Sequence, residues 1–437
     1  YGWLFGFGYF LSSLYWISIS LTFDQNFKFL IPIAIILIPS FLGIFYGLAS
    51  FCFIISKPKK IVSSFFAFSL FLGVFEFIRG SILTGFPWNL IAYSFLNHLE
   101  ILSITSLIGT YGFNLFCISL FASPAIFILR KTKKDIGVCV IFLILPFLFY
   151  LYGSSYKEKF NLLDVTNYDY KIRVIGSNIS LDRFYSNIDP VSVINELIDI
   201  SDPDKDEKTI FVWPEGILPD VSQKELVEFK WLFEEAFSKN HLLFIGINSQ
   251  IAKNQKINYF NSLTIYDHNL KILNFYNKIN LVPFGEFLPF ENILKIFGLN
   301  VITNNYQSFS KGRERKIIEI KRDDFTLKVL PLICYEIIYS GKIYKNPSFD
   351  IIVNISEDGW FGRSIGPKQH FVHSVFRAVE SGKYILRSAN NGIGAIVNPL
   401  GIVEQKVEYG KSGYIDFKKA KVIQPTLFSK YGNKIFI

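Results

Sequence analysis

The sequence predicts a multi-span α-helical membrane domain followed by a water-facing α/β domain. Three observations carry that expectation. Half of the 437 residues are hydrophobic and the mean hydropathy is +0.32, too apolar for an ordinary soluble chain. The apolar residues are segregated: residues 1–153 hold only nine of the 45 Lys and Arg and four of the 36 Asp and Glu. Beyond 153, strand-like and helix-like runs alternate, the pattern of an α/β layered domain.

Five apolar stretches approach the roughly 20 residues that cross a bilayer core as helix: 2–23, 29–56, 61–80, 101–130 and 135–152. The first has no basic start and no small-residue cleavage site, so it reads as a span and not as a signal peptide. Lys57, Lys59 and Lys60 form one basic cluster, and Arg130, Lys131, Lys133 and Lys134 form another. Short loops rich in Lys and Arg face the cytoplasm, which puts residue 1 inside and everything after about 153 outside. Between the third and fourth spans, Glu76 and Arg79 precede Gly85-Phe86-Pro87-Trp88. Such charges are either functional or a snorkelling Arg beside an interfacial Trp, and the sequence leaves both open. Gly85 and Pro87 suit a re-entrant or interfacial turn.

The expected division is 1–153, a transmembrane domain; 154–423, the water-facing α/β domain; and 424–437, the beginning of a further span. The α/β domain shows apolar β-rich runs at 172–176, 209–213, 242–247, 259–266, 326–333, 349–355, 393–398 and 413–417. Helical patterns cover 190–200, 222–238 and 367–382, and polar loops cover 201–208 and 305–315. Runs such as Ile210-Phe211-Val212-Trp213 are apolar on both faces, as in a covered sheet.

The net charge of +9 invites a nucleic-acid reading, but much of the excess sits in the clusters that orient the spans. No zinc-finger or RNP-type motif is present, so no nucleic-acid partner is expected. Of four cysteines, only Cys334 lies in the polar domain, which excludes a disulfide within it. His370 and His373 share a helix face but lack further ligand-like spacing. They read as core histidines, and no metal is expected.

Three polar residues follow strand-like runs, where sites gather in α/β sheets. Glu215 follows Phe211-Val212-Trp213-Pro214, Lys278 follows 272–277, and Cys334 follows 329–333. Singly, each has an ordinary structural role as helix cap, surface charge or core thiol. Jointly they are a set for acyl transfer: a thiol nucleophile, a carboxylate to take its proton and an ammonium to steady the oxyanion. A neighbouring Lys is expected to lower the thiol pKa from its free value of about 8.5.

These segments resemble the nitrilase, or carbon–nitrogen hydrolase, superfamily, and within it the apolipoprotein N-acyltransferases. The glutamate motif is Val212-Trp213-Pro214-Glu215. The lysine motif runs from Tyr276-Asn277-Lys278 through Leu281-Val282-Pro283-Phe284-Gly285-Glu286 to Pro289. The cysteine motif is Ile333-Cys334-Tyr335-Glu336, followed by Asp358-Gly359-Trp360-Phe361-Gly362, Gln369-His370, and Arg387 to Gly392. Gly85-Phe86-Pro87-Trp88 in the membrane part favours the acyltransferases over soluble nitrilases.

The resemblance implies an αββα sandwich for the second domain and a Glu215–Lys278–Cys334 triad. It also implies supporting roles for Glu286, Tyr335 and Glu336. It implies a phospholipid acyl donor, a diacylated apolipoprotein acceptor, no cofactor, and a bacterial inner membrane with the catalytic domain in the periplasm. A membrane-tethered amidase of nitrilase type is the alternative, since it would share the triad. Relatives of this type have eight spans, seven before the domain and one after. With no Met and a start at Tyr1-Gly2-Trp3, a chain trimmed at both ends is expected. Two departures stand out. Glu357-Asp358 occupies the place of the family's Asn-Asp. Gly176-Ser177-Asn178-Ile179, with Phe184 and Tyr185 nearby, occupies the place of a Gln-x-Asn-Ile segment followed by Trp.

Overall fold

The computed structural model describes every residue except 131, 187, 254, 255, 295, 297–300, 302–306, 323, 324 and 345. Lys131 and the first residues of the loop expected over 305–315 therefore lie outside the described residues.

The first part is helical: α1 (Gly2–Leu14), α2 (Ile31–Ser56), α3 (Ile61–Arg79), a single turn α4 (Leu99–Leu102), α5 (Thr105–Leu129) and α6 (Lys133–Asn161). Tyr15–Thr22 continues α1 as a 3-10 helix, and among the described residues five helical stretches are long and apolar enough to cross a membrane. At 1.5 Å per residue, even the 19 residues of α3 reach about 28 Å. Ile33, Ile36, Leu37, Ile141 and Phe147 are exposed on these helices, as side chains facing lipid must be. The last helix runs past the expected boundary at 153 to Asn161, lifting its C-terminal turns out of the apolar zone.

Arg79 does not snorkel. Its side chain is fully buried, ion-paired with Glu76, and donates to the carbonyl of Trp88 at 2.9 Å. Tyr46 Oη donates to the other carboxylate oxygen of Glu76 at 2.6 Å. A buried charge needs such partners, and here they tie the 84–88 turn to α2 and α3. Helix α5 is broken at Gly109, where φ is +70° and a Cβ would overlap the Phe428 ring. The N–H freed at Thr110 is accepted by Glu380 of the second domain at 2.7 Å.

Among the described residues the second part carries thirteen strands: β1 (Val165–Ser177), β2 (Thr209–Val212), β3 (Leu218–Ser222), β4 (His241–Lys253), β5 (Lys256–Asp267), β6 (Ile272–Asn277), β7 (Ile318–Arg322), β8 (Phe325–Ile333), β9 (Ile351–Glu357), β10 (Tyr384–Asn390), β11 (Gly394–Val397), β12 (Val403–Val407) and β13 (Gly413–Lys421). Its helices are α7 (Pro190–Ser201), α8 (Lys230–Ala236), α9 (Glu291–Leu294), α10 (Gly366–Ser381) and α11 (Leu427–Tyr431). The main strand order is β6-β5-β4-β2-β1-β10-β9-β8-β7.

Alternation along the strands sorts side chains into layers. Ile172, Val174, Ile210, Val212, Leu242, Phe244, Val329, Ile333, Val353 and Leu386 meet in one core between the two halves of the sheet. Ile175, Phe211, Trp213, Leu243 and Ile245 face α7 and α8 on one outside. Leu330, Leu332, Ile352 and Ile385 face α10 and the membrane helices on the other. The αββα layering is thus present. Its two β layers are hydrogen-bonded continuously through β1 and β10, so one sheet folds over itself.

Residues 424–437 are short: Thr426 caps α11, and Phe428 and Asn433 pack against α5 and the Ser340–Gly341 turn.

Candidate active site

Strands β1, β2, β4, β8, β9 and β10 run parallel where they pair, so their C-terminal ends share one rim. That rim gathers Glu215 after β2, Cys334 after β8, and Glu357 and Asn390 at the ends of β9 and β10. Strand β6 returns antiparallel to β5 and delivers Lys278 to the same rim.

Lys278 is 1% exposed. Its Nζ donates to Glu215 Oε1 at 3.0 Å and to Glu286 Oε1 at 2.8 Å. Asn261 on β5 lies between the carboxylates, its Nδ2 donating 2.7 Å bonds to both. Burial works against the ammonium, but Glu215 and Glu286 more than offset it and hold its pKa above the usual lysine value. Burial also raises the Glu286 carboxyl, opposed by Lys278. Glu286 Oε2 accepts from the Val282 N–H at 2.8 Å, which closes the loop after Lys278. Glu215 has its second oxygen bound by the Glu357 N–H at 2.9 Å. A Cβ at Gly246 would lie 2.3 Å from the Pro214 carbonyl, so only glycine lets β4 pass this close behind Glu215.

Cys334 begins a 3-10 turn with φ at +47°. This left-handed backbone costs a non-glycine residue about 1–2 kcal/mol. Strain of this kind clusters at functional sites. The thiol lies within electrostatic reach of Glu215, Lys278 and Asp358 and beside Ser356. The expected lowering of its pKa does not occur. Lys278 pulls it down, but burial and then Glu215 push it up more strongly, so it sits well above the ordinary thiol value.

Glu336 buckles the lysine and cysteine loops together. Its Oε2 accepts from the Ile333 N–H at 2.9 Å, and its Oε1 accepts from the N–H groups of Ile279 and Asn280 at 2.9 and 3.1 Å. Arg315 and the Tyr276 hydroxyl complete its shell. Tyr335 Oη donates to the Gly85 carbonyl at 3.0 Å and Tyr339 Oη to that of Thr84 at 2.9 Å. The residue after Cys334 is thereby fastened to the membrane turn that Arg79 holds.

His370 and His373 are buried. His370 Nδ1 lies 2.8 Å from Asp358 Oδ1, and Arg387 binds the same carboxylate at 2.8 Å. Burial opposes ionisation of Asp358, but Arg387 and His370 hold its carboxyl well below the usual range. Ser356 Oγ donates to Asp358 at 2.7 Å, linking this network to the neighbourhood of the thiol. Trp88 stacks on His370 with 5.3 Å between ring centroids. Among the described residues, no group of three potential metal ligands occurs.

Sequence reasoning brought Glu215, Lys278, Cys334, Glu286, Tyr335 and Glu336 to one place, as the coordinates also do. It missed Asn261, whose signal was an Asn inside an apolar strand run. It missed Arg183, which lies in a segment read only for its aromatics. Asn390 and Arg387 were seen as motif letters without a role.

Two family models match this chain. The model described as apolipoprotein N-acyltransferase N-terminal domain covers residues 1–123, and that described as carbon–nitrogen hydrolase covers 207–422. An apolipoprotein N-acyltransferase of Rickettsia prowazekii is 32% identical over 99% of this chain and 86% of that protein. That of Rickettsia typhi is 33% identical over the same shares, and that of Rhodopseudomonas palustris is 30% identical over 99% and 82%. Among solved structures, an amidase from Nesterenkonia sp. AN1 aligns at 11% identity and a TM-score of 0.39, over 57% of this chain and 92% of that one.

Apolar helices joined to a carbon–nitrogen hydrolase domain define a membrane-bound enzyme of nitrilase type. More narrowly, the chain belongs to the apolipoprotein N-acyltransferase family. With the N-terminal model matching the membrane part, the amidase alternative is not favoured.

Proposed function

We propose that this enzyme moves an acyl chain from a membrane phospholipid to the N-terminal amino group of a diacylglyceryl-cysteine apolipoprotein, through a thioester on Cys334. The observation that carries the reading is the Lys278 ammonium held between Glu215 and Glu286 beside a thiol that rests protonated. A neutral thiol needs a base at the moment of attack; of the carboxylates that act on it, Asp358 is engaged by Arg387 and His370, which leaves Glu215.

Glu215 takes the thiol proton as sulfur attacks the ester carbonyl. Lys278 stabilises the tetrahedral oxyanion. As the C–O bond breaks, Glu215 returns the proton to the departing oxygen, and lysophospholipid leaves. The free amine then attacks the thioester and gives its proton to Glu215. Collapse of the second intermediate expels the sulfur, which recovers the proton as thiol. Glu286, Asn261 and Glu336 position these groups, and Tyr335 couples Cys334 to the membrane turn. No cofactor is called for, because every proton and bond is accounted for by these residues and the two substrates.

We assign residues 1–153 to the bacterial inner membrane and 154–423 to a periplasmic catalytic domain. Both lipid substrates would then reach the rim from the outer leaflet, and the turn at 84–88 links that rim to the helices.

The test is intact mass spectrometry of detergent-purified protein incubated with phospholipid. The expected result is a gain of one acyl chain, labile to hydroxylamine, absent in Cys334→Ser. An equally acylated Cys334→Ser protein would remove the nucleophile assignment.

A further inference from the structure

We propose that Arg183 and Glu357 form a buried ion pair that positions Glu215, holding its carboxylate in register with Lys278 and Cys334. One departure from the family motifs, Glu357, here meets a residue of the segment that carries the other. Glu357 ends β9, and Arg183 belongs to the 181–184 turn after β1, yet their side chains bond directly. Both side chains are 2% exposed. A carboxylate so enclosed requires a cation, and the pair reaches Glu215 from two sides.

On one side, the Glu357 N–H donates to Glu215 Oε2 at 2.9 Å. That amide is held in place by its own side chain. Oε1 accepts from the Gly359 N–H at 2.8 Å, and Oε2 accepts from Asn390 Nδ2 at 2.7 Å. On the other side, Arg183 Nε donates to the carbonyl of Gly216, the residue after Glu215, at 3.3 Å. Its Nη1 donates to the carbonyls of Ser180 and Ile179 at 2.8 and 3.2 Å. One guanidinium thus joins the Glu215 loop, the 179–183 turn and the end of β9. A planar fork can satisfy this many acceptors at once, whereas an ammonium cannot. Phe184 and Trp360, which flank the pair in sequence, pack together at 5.0 Å, so the unit also sets the aromatic wall beside the rim.

The pair touches no substrate in this scheme; it acts through Glu215, and so the inference rests on the assignment of Glu215 as base. The test uses full-length enzyme in detergent with a radiolabelled phospholipid. It compares Glu357→Gln, Arg183→Met, the double variant and Glu215→Gln. The measurements are the single-turnover rate of Cys334 acylation, its dependence on phospholipid concentration, and the pH profile of Cys334 alkylation by iodoacetamide.

Each single variant is expected to slow acylation by about 10-fold or more at saturating phospholipid, since small misplacements of a catalytic group cost this much. Half-saturation should stay near native and the alkylation profile should move. The double variant should be about as slow as the slower single, because the two side chains act on Glu215 as one unit. Folded single variants acylating within about twofold of native, with a native alkylation profile, would overturn the proposal. A double variant that regains the native rate would do the same, since an unpaired buried charge alone would then explain the singles. Should a single variant not fold, Arg183→Lys decides: it keeps the charge and loses the fork, and an unchanged rate sinks the positioning role. Native-like acylation by Glu215→Gln would instead bring down the base assignment, and this inference with it.

Discussion

Lys278 sits between two carboxylates and under a thiol, with almost no access to water. Removing its charge leaves Glu215 and Glu286 facing each other with only Asn261 between them. We expect Lys278→Met to slow acyl-enzyme formation by ~10²–10³, the range seen when an oxyanion donor is lost. It should also destabilise the fold by about 3–5 kcal/mol, because a buried partner is left uncompensated. Adding Glu286→Gln should restore part of the melting temperature but none of the rate. Thermal unfolding and single-turnover acylation separate the two effects. Recovery of the rate in the double variant would show that Lys278 serves only to hold the carboxylates apart. The protonated resting thiol bears on the same chemistry. Burial wins over the neighbouring ammonium, so the sulfur is guarded until a substrate carbonyl arrives.

At the scale of elements, the strands do the convergence and the spans set the address. Parallel pairing places strand ends on one rim, and the β4–β5–β6 meander turns the chain back so that Lys278 joins them. The basic clusters at 57–60 and 130–134 lie between spans and argue for a periplasmic rim. In the second domain Cys334 is the sole cysteine and is buried, whereas Cys52 in the membrane part is half-buried, so an added surface thiol reports alone in a Cys52→Ser background. A Lys239→Cys protein, changed at an exposed position, should react with a membrane-impermeant maleimide on intact spheroplasts. Labelling only after lysis would reverse the orientation.

For the molecule as a whole, the membrane helices and the catalytic domain share one apolar core. Within that core, burial pulls the pKa of His370 below its ordinary value of 6.5, and burial with Arg377 pulls His373 well below it. Both rings are therefore neutral in the folded state near pH 7. The unfolded chain takes up protons first as pH falls, so stability present above about 6.5 is lost below it, by up to ~1.4 kcal/mol per pH unit per group. Glu286 and Glu357, whose carboxyls burial raises, work the other way toward lower pH. The difference between native and His373→Phe isolates the histidine contribution. Melting temperatures between pH 7.5 and 5.5 should fall more steeply for the native protein, and parallel slopes would refute the account.

The segregation of charge, the apolar run lengths and the two periodicities were enough to announce helices in a membrane and an α/β domain beyond them. Each depends on nearest neighbours along the chain and on one apolar medium per segment. The motifs around Glu215, Lys278 and Cys334 were legible for a similar reason: strand-end position is a local property. What the sequence could not announce was long-range pairing. Asn261 bridging two carboxylates, Glu336 buckling two loops, Arg183 reaching Glu357, and Glu380 capping a broken helix at Thr110 each join residues far apart in the chain. The direction of the Cys334 shift belongs with them, because it depends on how much protein encloses the sulfur and on which charges stand closest. Burial and distance decide such competitions, and both exist only once the sheet has folded over itself and settled on the helices.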